Sequence, residues 1–330
     1  MNIRKILIIA LFIFLIPMLG WISPNKNNVN INRDLYSSKS NIEFHNTIEN
    51  KKSYIDNLLK SKVKIKIGDD IVEDTVEEYL IGVTAAEISP TYELEAIKAQ
   101  MVAAHTYAIN KYGESGPYPA DPCVFQAYIN KEGRKEKYKD NFNEYEQILK
   151  DIAASVVDKI IVYDDKPIVA AFHSMSGGTT KSSEEVWGSF VPYLTSTDSS
   201  VETALQNYTT QKIKNITESY NLIKSKYAEA QMPQEHNNII KIVSKTESGY
   251  VKNAQIFGVE LPGSKIRSIF GLPSSDFSVS IDNCDIIFTC KGNGHGVGMS
   301  QQGANELAKQ GKTYEEILCH YYNGVSIKSL

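Results

Sequence analysis

The stretch "DTVEEYLIGVTAAEISPTYELEAIKAQMVAAHTYAI", Asp74 to Ile109, decides the fold. Thr75-x-x-Glu78 has the form of a capping box and opens a helix. Val76, Leu80 and Val83 recur at helical spacing, which predicts a face turned to a core. The next position on that stripe is Glu87, a carboxylate where the pattern asks for an apolar residue. Ser89 followed by Pro90 predicts the N-cap and first position of a second helix, with Glu93 favourable near its positive end. Leu94, Ile97, Met101, Ala104 and Ala108 form the stripe of that second helix.

Working outward, "VKIKIGDD" alternates like a strand and turns at Gly68-Asp69-Asp70, so order is expected from about Lys62. A helix is expected near Tyr145 to Val157, followed by a hairpin in "KIIVYDDKPIVAAFHS" with Asp164-Asp165 at its turn. The charged segment from about 199 to 238 reads as a helical lobe. Short strands return from Ile239 to Cys290, with "ELPGSKIRSIFGL" between them as a turn and a short helix. "GANELAKQGKTYEEILCHYYNGV" predicts two closing helices, the first ended by Gly311. The sum is an α+β fold of short antiparallel strands with helices around them.

The chain has 330 residues, 42% of them apolar, and a formal charge of −4, which argues against nucleic acid as a general partner. Nineteen tyrosines against two tryptophans suit a surface that handles polar polymers, and equally suit a codon bias. "MNIRKILIIALFIFLIPMLGWISP" places Arg4 and Lys5 before an apolar run from Ile6 to Ile22 without an A-x-A-like cleavage site. Residues 1–24 are read as an uncleaved membrane anchor with its basic end in the cytoplasm, a cleaved signal peptide being the other reading. Residues 25–61, polar and Asn-rich at first, are read as a flexible stalk, and 62–330 as one extracytoplasmic domain.

Cys123, Cys284, Cys290 and Cys319 offer no zinc-type CxxC pair. "FSVSIDNCDIIFTCKG" predicts a hairpin turning at Asp282 to Asp285, with Cys290 opposite Phe277. Cys284 and Cys290 are then separated by about 20 Å of extended chain, beyond disulfide reach. The cysteines are expected to be buried small hydrophobes.

Glu87 continues the stripe at the C-terminal, negative end of its helix. Apolar neighbours and that helix end both disfavour ionisation, so a raised pKa is expected. A carboxylic acid that keeps its proton near neutrality is what glycosidic cleavage requires of a general acid. The bland alternative is that the helix frays at Ala86 and Glu87 turns to solvent. "FHSMSGG", Phe172 to Gly178, is either a ligand-binding loop through Ser174, Ser176 and Gly177 or a tight turn with an incidental His173. "GNGHGVGMSQQGA", Gly292 to Ala304, opens a helix without the form of a phosphate loop, and its His295 is expected to face a cleft. A Ser-His-Asp triad through Ser176 lacks its nucleophile elbow, and a zinc site from Cys123, His173 and His295 lacks ligand spacing.

Taken in order, "EEYLIGVTAAE…ELEAIKAQMVAAHTYAI", "FHSMSGGTTKSSEEVWGSFVPYL", "LPGSKIRSIFGL" and "GHGVGMSQQGANELAKQGKTYEEILCHYYNGV" resemble the successive signatures of the stage II sporulation protein D family, which is related to amidase enhancers. The resemblance runs from about Lys62 to the C-terminus. It implies a lytic transglycosylase, which cuts stem-peptide-free peptidoglycan strands to 1,6-anhydro products during forespore engulfment. It further implies a place in the mother-cell engulfing membrane, facing the intermembrane space. The implied partners are the sporulation amidase, stage II sporulation protein P, and the membrane protein M. No cofactor and no metal are implied.

The family's catalytic glutamate matches Glu87. Ser174, Ser176, Gly177, His295 and Gln301 are candidates for holding sugar, and His105 and His173 for support. Three departures stand out. Ile88-Ser89 replaces the usual Met-Pro, His105 replaces the usual Arg, and "DPCVFQAY" offers Cys123 alone where some members bind zinc. The competing reading is a glycan-binding enhancer of a partner amidase that does not cut.

Overall fold

The computed structural model describes residues 47, 49–235 and 238–330. The predicted anchor lies outside the described residues, as does most of the predicted stalk. The chain divides into two compact units, Met1–Lys52 and Ser53–Leu330. In the first, the described residues 47 and 49–52 are helical. In the second, helix α1 (53–60) occupies the last part of the expected stalk. Leu59 is buried, Ile55 and Leu58 pack on the main core, and the Tyr54 hydroxyl donates to the Leu330 carbonyl. Order therefore begins before Lys62, because three apolar side chains on one face of α1 find a core to cover. Among the described residues no helix is long and apolar enough to cross a membrane.

Strands β1 (Lys62–Ile67) and β2 (Asp70–Thr75) form the expected hairpin. Thr75 caps α2 (Val76–Glu87) by accepting from the Glu78 N–H. The carboxylate of Glu78 does not return to close a capping box; it is drawn to Arg134. Helix α2 is buried on most of its surface, Tyr79, Ile81 and Thr84 as well as the predicted stripe. Helix α3 (Leu94–Tyr112) begins four residues later than Ser89-Pro90 suggested. The Ser89 hydroxyl bonds the Thr91 hydroxyl instead of capping a helix, and the Glu93 N–H donates to Asn305. Ile97, Met101, Ala104 and Ala108 are buried as expected, whereas Leu94 at the helix tip is exposed.

Strand β3 (Tyr118–Pro119) runs parallel to β1, a pairing that an all-antiparallel expectation omits. Helices α4 (Lys131–Tyr138) and α5 (Phe142–Val156) follow. Arg134 on α4 is fully buried and donates to both oxygens of Glu146 on α5 and to Glu78 on α2, so one cation ties three helices. Strands β4 (Lys159–Tyr163) and β5 (Lys166–Pro167) make the predicted hairpin, with Asp164 and Asp165 in left-handed conformation at the turn. Strand β6 (Phe172–His173) and helix α6 (Ser183–Trp187) complete this half.

The predicted helical lobe at 199–238 is a correction. It holds a 3-10 turn at Ser200–Glu202, strand β7 (Thr209–Asn215) and one helix, α7 (Ile216–Lys226). Thr209 to Asn215 pairs with the strand Asp285–Lys291, so a hydrogen-bonded neighbour distant in sequence overrides the helical charge pattern. Strands β8 (Ile240–Lys245), β9 (Val251–Ile256) and β10 (Val259–Pro262) form one sheet, followed by α8 (Gly263–Phe270). Strands β11 (Phe277–Asp282) and β12 (Asp285–Lys291) form the expected hairpin, with Cys290 opposite Phe277. Together with α7 and α8 these strands enclose a second apolar core, from Ile216 to Cys290.

Strand β13 (Met299–Ser300) leads back into the first core through α9 (Gln301–Lys309), α10 (Tyr314–Tyr321) and β14 (Ser326–Ser329), which pairs with β4. The molecule is mixed α+β. All four cysteines are free; Cys290 alone is buried, while Cys123, Cys284 and Cys319 are exposed, contrary to the expectation for them.

Candidate active site

Helix α2 continues through Glu87 without fraying and stops because Ile88 is extended while its N–H still reaches the Thr84 carbonyl. The geometry around Glu87 starts five residues earlier. Gly82 has no side chain, so Tyr128 and Ile129 lie directly on the helix, and the Ile129 N–H bonds the Gly82 carbonyl at 3.1 Å. This runs the segment Phe125–Ile129 along α2 and delivers the Ala127 N–H to Glu87 Oε1 at 2.8 Å. Glu87 is half-buried. Burial raises its pKa above the ordinary carboxylate value, against a smaller opposing pull from the Ala127 hydrogen bond. Since Oε1 accepts an N–H, a proton on the neutral acid belongs on Oε2, which has no protein partner among the described residues.

The residue before Ala127 opens onto a cavity of about 450 Å³. Gln126, Phe125, Tyr107 and Lys111 line one side, and residues 169–172, Trp187, Val191 and His295 the other. The segment that fixes Glu87 is therefore also a wall of the cavity.

The two glycine-rich loops are built as one unit. Strand β6 pairs in parallel with β13, and Met175 exchanges backbone hydrogen bonds with Asn293. Gly298 has a φ of +70°, and a Cβ there would collide with the Ala171 carbonyl. Gly298→Ala is accordingly expected to lower stability by about 1–3 kcal/mol through strain at that φ alone, measured by urea unfolding; an unchanged midpoint would contradict the interlock.

Most of the predicted sugar-binding groups are already engaged in this packing. Ser176 is fully buried, and its N–H and hydroxyl both donate to Glu202 Oε1. The N–H of Gly177 donates to the Tyr250 hydroxyl and its carbonyl accepts from the Tyr208 hydroxyl. Gln301 is buried and donates to Gln100 on α3. Only Ser174 in "FHSMSGG" keeps a hydroxyl that is half-buried and without a protein partner among the described residues.

His173 is buried, and its Nδ1 donates to the Val297 carbonyl at 3.1 Å. His295 lines the cavity, as expected of a cleft residue, and its Nδ1 accepts from the Val297 N–H. The two rings lie 5.6 Å apart. Burial first, then the nearby positive groups, lowers His173 to about 3 and His295 to about 4, so both are neutral at ordinary pH. His105 does not stand beside Glu87. It shares a small cavity with Val76 at the opposite end of α2, and a helix rising about 1.5 Å per residue puts roughly 16 Å between those ends.

Glu202 was not singled out in the sequence. It lies fully buried in the 3-10 turn and binds Ser176 in one loop and Ser300, the cap of α9, in the other. Nothing in "SSVETAL" signals this, since both partners come from distant loops. Burial raises the Glu202 pKa despite the hydroxyl bonds. A raised folded-state pKa adds stability below the unfolded value, and that stability is lost as pH rises through the folded value. Glu202→Gln is therefore expected to flatten the fall in melting temperature from mildly acid to neutral pH. A slope equal to wild type would refute this.

A family model described as stage II sporulation protein (SpoIID) matches residues 69–163. Stage II sporulation protein D of Bacillus subtilis (strain 168) is 35% identical over 259 residues, covering 76% of this chain and 74% of that protein. The same protein of Bacillus amyloliquefaciens is 34% identical over equal coverage. The amidase enhancer of Bacillus subtilis is 28% identical over 298 residues, 76% of this chain and 40% of that protein. With identity of this extent over about three quarters of both chains, the chain belongs to the stage II sporulation protein D family.

Proposed function

We propose that this protein is a lytic transglycosylase that cleaves stem-free peptidoglycan strands between N-acetylmuramic acid and N-acetylglucosamine. The observation that carries the reading is Glu87: a half-buried carboxylic acid with a raised pKa, one oxygen pinned by a backbone N–H from the segment whose preceding residues, Phe125 and Gln126, wall an aromatic cavity. Aromatic faces suit the apolar faces of sugar rings.

Glu87 Oε2–H gives its proton to the glycosidic oxygen as the bond to the muramic C1 breaks. The muramic C6 hydroxyl oxygen bonds to C1, and its proton passes to the Glu87 carboxylate, restoring the acid. No water enters, so the second carboxylate of ordinary glycosidases is not required. The sporulation setting follows from the family. Attachment to the engulfing mother-cell membrane, with protein P and protein M as partners, is part of the same proposal.

The similarity to an amidase enhancer supports a second reading, in which the groove grips glycan and stimulates an amidase without cutting. One experiment separates the two. The full chain is incubated with stem-free strands and the products are searched by mass spectrometry for anhydromuramic ends. Their formation by wild type and absence with Glu87→Gln supports the transglycosylase. Equal inertness of both, with both stimulating an amidase, makes the enhancer reading correct.

A further inference from the structure

The cavity walled in part by Phe125 and Gln126 contains a single formal charge among its lining residues, that of Lys111. Tyr107, Phe125, Phe172 and Trp187 supply its aromatic walls, and His295 is neutral there. Lys111, in the last turn of α3, brings an ammonium group 5.8 Å from the centre of the Tyr107 ring. No carboxylate lines this cavity, and Lys111 has no ion pair among the described residues. Aromatic rings and one exposed cation suit a ligand that is flat-faced and carries one negative charge.

We propose that Lys111 is the specificity-determining residue of this groove, reading the free lactyl carboxylate of a stem-free muramic acid whose ring lies against the aromatic walls. This rests on the reading of the cavity as the glycan site served by Glu87. The chemistry is a difference between two states of one group. While a stem peptide is attached, the lactyl carbonyl is a neutral amide; once the peptide is hydrolysed away, it is an anion. An ammonium distinguishes the two strongly, because a charge-assisted bond is about twice as strong as a neutral one. Lys111 is exposed, so the contrast is expected to weaken as salt rises.

The test measures binding to full-length Glu87→Gln protein, which does not consume the strand, by titration calorimetry. The probes are stem-free strands with free carboxylates and the same strands after methyl esterification. The free acid is expected to bind about five- to tenfold more tightly than the ester. Adding Lys111→Gln removes this preference, adding Lys111→Arg retains it, and raising salt narrows it. A preference undiminished by Lys111→Gln overturns the inference. That outcome leaves the transglycosylase reading intact, because the latter stands or falls on whether wild type makes anhydromuramic ends.

Discussion

Glu87→Gln is expected to leave the protein folded and to slow release of anhydromuramic products by about a hundred- to ten-thousandfold. The amide is nearly isosteric, and its carbonyl can still accept from the Ala127 N–H, so the α2 terminus and the segment along it keep their positions. What disappears is the proton on the other oxygen. The pH profile is the sharper test. The reactive form is the neutral acid, and burial raises the pKa at which it is lost. Activity of wild type should therefore fall as pH rises through that raised value. Stability follows the same sign, since a group with a raised folded-state pKa contributes most below its unfolded value and loses that contribution as pH climbs. Ala127→Pro removes the N–H that opposes the rise, and should move the alkaline limb to higher pH if the fold survives. An alkaline limb that stays put in a folded variant, or a Glu87→Gln protein with wild-type rates, would end the single-acid mechanism.

Arg134→Ala is expected to destabilise the protein by about 3–5 kcal/mol, the usual loss when one partner of a buried ion pair is removed. The guanidinium is fully buried and grips Glu146 at 2.9 and 2.7 Å, Glu78 at 2.7 Å and the Ile129 carbonyl at 3.1 Å. Without it the Glu146 carboxylate is left buried with no countercharge. The contact to Ile129 also connects this triad to the segment that fixes Glu87, so the variant should lose activity at temperatures where part of the protein is still folded. Removing the stranded charge as well, in Arg134→Met with Glu146→Leu, should recover much of the loss, because a buried pair replaced by apolar groups is often neutral. Urea unfolding reads both variants. A loss below about 1 kcal/mol for the single change would place the triad among ordinary surface pairs.

By itself the sequence determined the elements whose signals are local. The β1–β2 hairpin, the Thr75 cap, the Asp164-Asp165 and Asp282–Asp285 turns, and the closing helices all follow from residues within a few positions of one another. It also located Glu87, since one acid on an apolar stripe is visible in a helical repeat. Tertiary structure alone decided what depends on distant partners. Glu78 leaves its capping box for Arg134, and Thr209 to Asn215 becomes a strand because β12 is there to pair with it. Ser176 and Gly177 look like ligand groups from their loop, yet Glu202, Tyr208 and Tyr250 claim them. His105, a candidate for support from the stripe of α3, instead shares a small cavity with Val76 at the far end of α2. A buried polar group must find a partner wherever the fold supplies one, and that choice is made in space, where spacing along the chain carries no information.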